Sequence, residues 1–97
     1  MLSIIIPCLN EADGIVDALS ALAPLRARGT EVIVVDGGSR DGTAERAAPH
    51  ADSVISAPCG RAAQMNAGAA HARGEILLFL HADTLLPDSA DALIIEG

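Results

Sequence analysis

Short apolar runs without polar alternation constrain this chain most. Residues 2–6, 32–35 and 76–80 are near-continuous hydrophobic stretches, and Val54-Ile55 is a shorter one between polar flanks. Strands buried on both faces read this way, and such strands belong to parallel sheets covered by helices. Segments of helical period lie between the runs. Ile15, Leu19 and Leu22 fall at i, i+4 and i+7 and make one buried stripe. Asn10 is placed to cap this first helix, with Asp13 three residues on, and Gly29-Thr30 closes it. Asp41 caps a second helix that runs through Ala48 and ends at Pro49. Gly60 precedes a third, over residues 61–72 and ending near Gly74, and Pro87 with Asp88 starts a fourth. The resulting order βαβαβαβα predicts an α/β fold, a mainly parallel sheet sandwiched by helices. Right-handed crossovers restrict the topology, and 3-2-1-4 is the strand order adopted for placing the polar residues.

Composition removes several function classes. The net charge is −7, and the basic residues are scattered rather than clustered, which argues against nucleic acid and anionic membrane surfaces as partners. Phe79 is the one aromatic residue, so no platform for stacking bases exists. Cys8 and Cys59 lack the spacing of a zinc site or a disulfide framework and read as small buried residues near strand ends. The apolar N-terminus has no basic region before it and breaks at Pro7, so it reads as a strand and not a signal peptide. No apolar run reaches membrane-spanning length, and a cytoplasmic location is the default expectation. Leu93-Ile94-Ile95 asks for a covering partner. Residues 1–97 are therefore expected to be one truncated domain that self-associates through this surface or an open sheet edge, that is, a homo-oligomer. The competing reading is a complete four-stranded domain with an apolar tail.

Polar residues collect after the strands, where open parallel sheets bind ligands. Asn10 and Glu11 follow the first, the segment Asp36-Gly37-Gly38-Ser39-Arg40-Asp41-Gly42-Thr43 the second, and His81-Ala82-Asp83-Thr84 the fourth. In the order 3-2-1-4, Asp36 and Asp83 flank the switch point. Asp36 can accept from a ribose hydroxyl or a base N–H, with glycines that let a ligand approach; equally, it can cap local amides in a turn. His81 and Asp83 sit at i, i+2 on an extended segment, and imidazole and carboxylate can together meet a divalent cation. A diphosphate on so acidic a domain calls for such a charge; an edge histidine beside a turn-forming aspartate is the plainer account. Arg61 and Gln64, at i and i+3, share a helix face, and Arg61 lies in the first turn, where an anion is favoured. An ordinary solvated face fits the same residues, with Asn66 off it. GxGxxG, GxxxxGK[ST] and GxSxG are absent, and His50 and His71 are assigned to surfaces.

Taken together these segments resemble the glycosyltransferase family 2 pattern. Ile4-Ile5-Ile6-Pro7-Cys8-Leu9-Asn10-Glu11 is similar to its opening "SVIIPxxNE", and Val34-Val35-Asp36-Gly37-Gly38-Ser39-Arg40-Asp41-Gly42-Thr43 to its "VVDDGSTDGT". Asn66-Ala67-Gly68 with Ala72-Arg73-Gly74-Glu75 resembles "NxGxxxAxGE", and Leu78-Phe79-Leu80-His81-Ala82-Asp83-Thr84-Leu85-Leu86-Pro87 resembles "FLDADTxxxP". The motifs stand in the family's order and span nearly the whole chain. The stretch Gly60-Arg61-Ala62-Ala63-Gln64-Met65-Asn66, with the His-Ala-Asp-Thr variant, looks closest to the bacterial radical-SAM- or arsenosugar-associated subgroup. The resemblance implies a GT-A fold whose Rossmann-like N-terminal half binds a nucleotide-diphosphate sugar, with UDP the expected nucleotide, and an inverting transfer to an acceptor hydroxyl. It implies that Pro7 and Glu11 line the nucleoside pocket, that Asp36 contacts uracil or ribose, and that Arg61 lies near base or phosphates. It implies that Asp83, alone or with His81, holds Mn²⁺ or Mg²⁺ on the diphosphate. The sequence departs from the pattern at Gly37, where the family has a second acid, and at His81, where it has the first acid of its DxD segment. The family's general base lies downstream of these residues, so none is named here. Two other readings stand beside the enzyme: a nucleotide-sugar-binding half-domain without transfer activity, and an α/β interaction domain whose motifs only form turns.

Overall fold

The computed structural model describes residues 1–82; Asp83, the helix expected after Pro87 and the Leu93-Ile94-Ile95 segment lie outside the described residues. Strands β1 (Leu2–Cys8), β2 (Glu31–Asp36), β3 (Ser53–Ser56) and β4 (Ile76–Phe79) form one sheet in the order β3-β2-β1-β4 with every pairing parallel. This is the α/β architecture and the strand order that the sequence suggests. The helices are α1 (Ile15–Ser20), α2 (Ala23–Ala27), α3 (Thr43–Ala47) and α4 (Arg61–His71).

Strand alternation sends successive side chains to opposite faces, and each face has its own core. Ile4, Ile6, Val32 and Val34 pack with Ile15, Leu19, Leu22, Leu25 and Ala47 from α1–α3 and the segments between them. Ile5, Ile33 and Val35 face the other way, against Ala67, Ala69 and Ala72 in and just after α4. Burying an aliphatic side chain of this kind is worth about 1.5–3 kcal/mol over leaving it exposed. Helix α4 turns small residues toward Ile5 and Val35, and it lies close enough that a Cβ on Gly68 would come within 2.4 Å of Ile5 Cγ2.

Several local expectations need correction. Asn10 does not cap the first helix. It sits at φ 54° in the turn after β1, and α1 begins at Ile15 with no side-chain cap. The stripe Ile15, Leu19, Leu22 is buried as expected, but no single helix carries it: Ile15 and Leu19 lie in α1, and Leu22 in the turn before α2. Pro24 stands in the first turn of α2; it lacks an N–H and would crowd the carbonyl four residues back, so a single helix cannot pass through it. Asp41 does cap α3, reaching across Gly42: its Oδ1 accepts from the Thr43 amide at 3.1 Å and from the Thr43 hydroxyl. That helix stops at Ala47, and Pro49 falls in a 3₁₀ turn, Ala48–His50. Strand β4 is not covered on both faces: Leu77 and Phe79 are 38% and 40% exposed. Cys8 is buried, but Cys59 is exposed, because it lies in the loop before α4 and not in a strand end. Among the described residues no helix is long and apolar enough to cross a membrane.

Candidate functional site

Pro7 determines where the sheet opens. Along β1–β2 the pairing runs to Cys8↔Asp36, and the Gly37 amide donates one step further, to the Cys8 carbonyl at 3.0 Å. Along β1–β4 it stops at Ile5↔Phe79, followed by the Leu80 amide donating to the Ile5 carbonyl at 2.9 Å. The next donor on that side of β1 would be residue 7, and proline has none. The two strands part at the switch point of the 3-2-1-4 order, where ligands bind open α/β sheets. A cleft of about 270 Å³ lies there, lined by Pro7, Cys8, Glu11, Arg61, Gln64 and His81 among others. A smaller recess beside it adds Met65, Phe79 and Leu80 to Pro7, Arg61 and His81. The structure thus brings together Pro7, Glu11, Arg61 and His81 of the residues singled out in the sequence.

Arg61 opens α4 and His81 follows β4. The guanidinium Nη2 lies 3.1 Å from His81 Nε2. Arginine can only donate, so Nε2 is the acceptor and the ring proton sits on Nδ1. Both side chains are exposed at the lip of the cleft. The only carboxylate among the described lining residues is that of Glu11. No three His, Cys, Asp or Glu side chains among the described residues stand together as a metal centre. His81 alone does not make one, and Asp83 is outside the described residues, so the charge available to a phosphate here comes from Arg61 and the amino end of α4.

Asp36 is buried and does not line the cleft. Its Oδ2 accepts from the Gly38 and Ser39 amides at 3.1 and 2.9 Å, and its Oδ1 from the Ser39 hydroxyl and, at 3.8 Å, from the Cys8 thiol. Those four contacts use the acceptor positions of a carboxylate. Of the two readings that the sequence leaves open for Asp36, the turn-forming one describes this geometry. Burial, and then the neighbouring Asp36 charge, push the Cys8 thiol up to about 12. The rest of the loop braces its neighbour. The Asn10 amide donates to Ser39 Oγ (2.8 Å), the Arg40 amide to Asn10 Oδ1 (2.9 Å), the Glu11 amide to Thr43 Oγ1 (2.9 Å) and the Ala12 amide to Asp41 Oδ2 (3.1 Å). Hydrogen bonds from Thr43, chiefly its hydroxyl, hold the Asp41 carboxyl below its usual range.

Gln64 is the residue whose role the sequence does not disclose. It is buried, not solvated, and every polar atom of its amide is bonded. Nε2 donates to the Cys8 and Val35 carbonyls, both at 3.0 Å, and Oε1 accepts from the Gly60 amide at 3.2 Å. The available signal is that Gln64 begins the small-residue stripe continued by Gly68 and Ala72 at i+4 and i+8. Asn66 is exposed, as its position off that face implies. His50 is half-buried at the end of the 3₁₀ turn, and His71 is exposed and pairs with Ser53 Oγ. A larger cleft, of about 360 Å³, lies at the amino-terminal edge of the sheet. Among its charged groups, Arg26 pairs with Asp52, Asp52 accepts from the Val32 amide, and Glu31 accepts from the Arg73 amide.

Known proteins share this fold. Residues 3–96 match the glycosyl transferase family 2. A poly-beta-1,6-N-acetyl-D-glucosamine synthase of Staphylococcus epidermidis is 30% identical over 101 residues, covering 98% of this chain and 24% of the synthase. The mannosyltransferase PcManGT from Pyrobaculum calidifontis, solved with GDP-Man and Mn²⁺, superposes with a TM-score of 0.86 at 28% identity, over 98% of this chain and 31% of that one. Glucosyl-3-phosphoglycerate synthase from Mycobacterium tuberculosis, solved with Mn²⁺, UDP and phosphoglyceric acid, gives 0.83 at 25% identity, over 99% and 38%. The chain thus spans about a quarter of the curated relative and about a third of the solved ones. The family match spans nearly the whole chain, and the chain belongs to glycosyltransferase family 2.

Proposed function

We propose that the cleft between the carboxyl ends of β1 and β4 binds the diphosphate of a nucleotide sugar, and that the whole protein transfers the sugar to an acceptor hydroxyl with inversion. The observation that carries this reading is Arg61, a guanidinium in the first turn of an eleven-residue helix, facing the gap that Pro7 opens. A fixed cation and a helix amino end offset charge on a leaving nucleoside diphosphate without reorganising as it develops. Pro7 and Glu11 line the nucleoside side. Asp36 shapes that side by fixing its loop, and a direct contact from Asp36 to ribose or base requires one of its four bonds to be exchanged. UDP is the donor nucleotide we propose, in keeping with the mycobacterial synthase solved with UDP; GDP, bound by the mannosyltransferase, is the comparison. We also assign Mn²⁺ or Mg²⁺ to Asp83 with His81; such an ion, when bound, acts as a Lewis acid on the diphosphate. The segments Gly60 to Asn66 and His81-Ala82-Asp83-Thr84 support a place near the radical-SAM/arsenosugar-associated subgroup.

Calorimetry with UDP and GDP, each with Mn²⁺ and with chelator, tests the reading. UDP is expected to bind more tightly with metal, Arg61→Ala to weaken it roughly tenfold, about 1.4 kcal/mol, and Asp83→Ala to abolish the metal-dependent part. Absence of binding by both nucleotides under both conditions refutes the assignment of the cleft, and equal affinity with and without metal refutes that of the metal.

A further inference from the structure

We propose that Gln64 is the positioning residue of this cleft: it ties the first turn of α4, and with it Arg61, to the ends of β1 and β2, and it requires glycine at position 37 to do so. The inference rests on the nucleotide-sugar reading for its ligand and on geometry for its mechanism. A helix end is held least firmly by its own hydrogen bonds, because its first amides lack intrahelical partners. Here a single buried amide closes that gap. One end of it accepts from the Gly60 amide, immediately before Arg61, and the other donates to Cys8 and Val35, one carbonyl on each of the two central strands. Arg61 is thereby fixed to the backbone that frames the cleft, three residues from the anchor.

Gly37 makes room for this anchor. Its φ is not in the left-handed region, so no backbone strain demands glycine. Space demands it: a Cβ at position 37 would lie 3.0 Å from Cδ, Nε2 and Oε1 of Gln64. Those three atoms are held by their own bonds, so the shift of a few tenths of an ångström that clears a Cβ lengthens and weakens those bonds. The Asp36-Gly37 sequence and Gln64 are therefore one device, and a side chain at 37 acts on Arg61 through Gln64.

Double-mutant cycles on the full chain test this, with UDP and GDP affinity from calorimetry and His81 ring signals from NMR as independent readouts. Gln64→Ala is expected to weaken nucleotide binding about tenfold in the native background and less than twofold when Arg61 is already alanine. It should also move the His81 ring signals to where Arg61→Ala places them. Gly37→Ala should reproduce both effects alone and add nothing to Gln64→Ala. Should Gln64→Ala not fold, Gln64→Met, which keeps the volume and loses the amide, replaces it in the Arg61 cycle. An equal loss of affinity with and without Arg61, or unmoved His81 signals, overturns the proposal. If the native chain binds neither nucleotide, the functional reading fails, and the His81 signals still decide the role of Gln64.

Discussion

Both oxygens of Asp36 are committed to its own loop, and that commitment separates two roles an acidic residue can play at a strand end. If its role is to hold the loop, Asp36→Ala strands the Gly38 and Ser39 amides and releases the bracing of Asn10 through Ser39. Unpaired groups of this kind cost about 1–3 kcal/mol each, so a loss of about 3 kcal/mol in urea unfolding is expected. Nucleotide affinity of the fraction that remains folded should fall by less than threefold. A stable Asp36→Ala chain that has lost a hundredfold in UDP affinity would restore the ligand-contact role. The residue's position after a buried strand and its capacity to cap nearby amides were legible in the sequence; the choice between that role and a ligand contact was not. The Cys8 contact depends on which strand lies beside β2, and that is not a local property of the Asp36 segment.

Helix α4 gives the same lesson for an element. Its limits could be read from Gly60 and the Ala-rich run, because glycine and helix propensity are local signals. Which face it buries could not be read from hydrophobicity, since the buried positions are Gln64 and Gly68. Close approach of helix to sheet selects small residues and one amide that satisfies strand carbonyls, and a search for apolar stripes passes over both. Gly68→Ala tests how close that approach is. Alanine gains about 1 kcal/mol in helix propensity over glycine. Its Cβ, however, meets Ile5 Cγ2 at 2.4 Å and Val35 Cγ2 at 3.1 Å, inside a core with no slack. Overpacking of this order costs about 1–3 kcal/mol, so a net loss of up to about 2 kcal/mol is expected, whereas Asn66→Ala on the exposed face should cost nothing measurable. A Gly68→Ala chain more stable than native would mean that α4 stands further from the sheet. Gly74 meets a comparable limit at the other end of the sheet, where a Cβ would lie 2.6 Å from the Met1 carbonyl oxygen and Ser3 Oγ. The glycines of the NxG and AxGE segments are thus explained by packing, with no ligand needed.

At the scale of the whole molecule, four apolar runs and crossover handedness narrow the topology without choosing the order, and the order 3-2-1-4 adopted for the sequence is the one the sheet has. Exposure of Leu77 and Phe79 did not follow, since a continuous apolar run reads alike in a central and an edge strand. The composition offers an unusually clean view of one buried group. The six basic residues are all arginines and there is no tyrosine, so between pH 9 and 12 the cysteines are the side chains that titrate. The Cys8 thiol moves from 9.0 to about 12 on folding. Above pH 9 the unfolded chain therefore loses a proton that the folded chain keeps, and stability falls as pH rises, by up to about 1.4 kcal/mol per unit, until the folded thiol itself ionises. Urea melts from pH 8 to 11 should show this slope in the native chain and its absence in Cys8→Ala. Parallel slopes would mean that the thiol is not shielded by its burial beside Asp36.

The missing N–H of Pro7 has a mechanical consequence. Six residue pairs join β1 to β2, and four join β1 to β4. A plate slit from one edge bends about the root of the slit, and here the root is the Leu80–Ile5 bond. On one bank of the slit stand the braced loops and the anchored start of α4; on the other stands His81, on the strand with the shorter seam. The contact between Arg61 and His81 spans the slit near its open end, where a small rotation at the root becomes the largest displacement. A push applied there would load the four-pair seam of β1 with β4, and the six-pair seam of β1 with β2 would hold the other bank together.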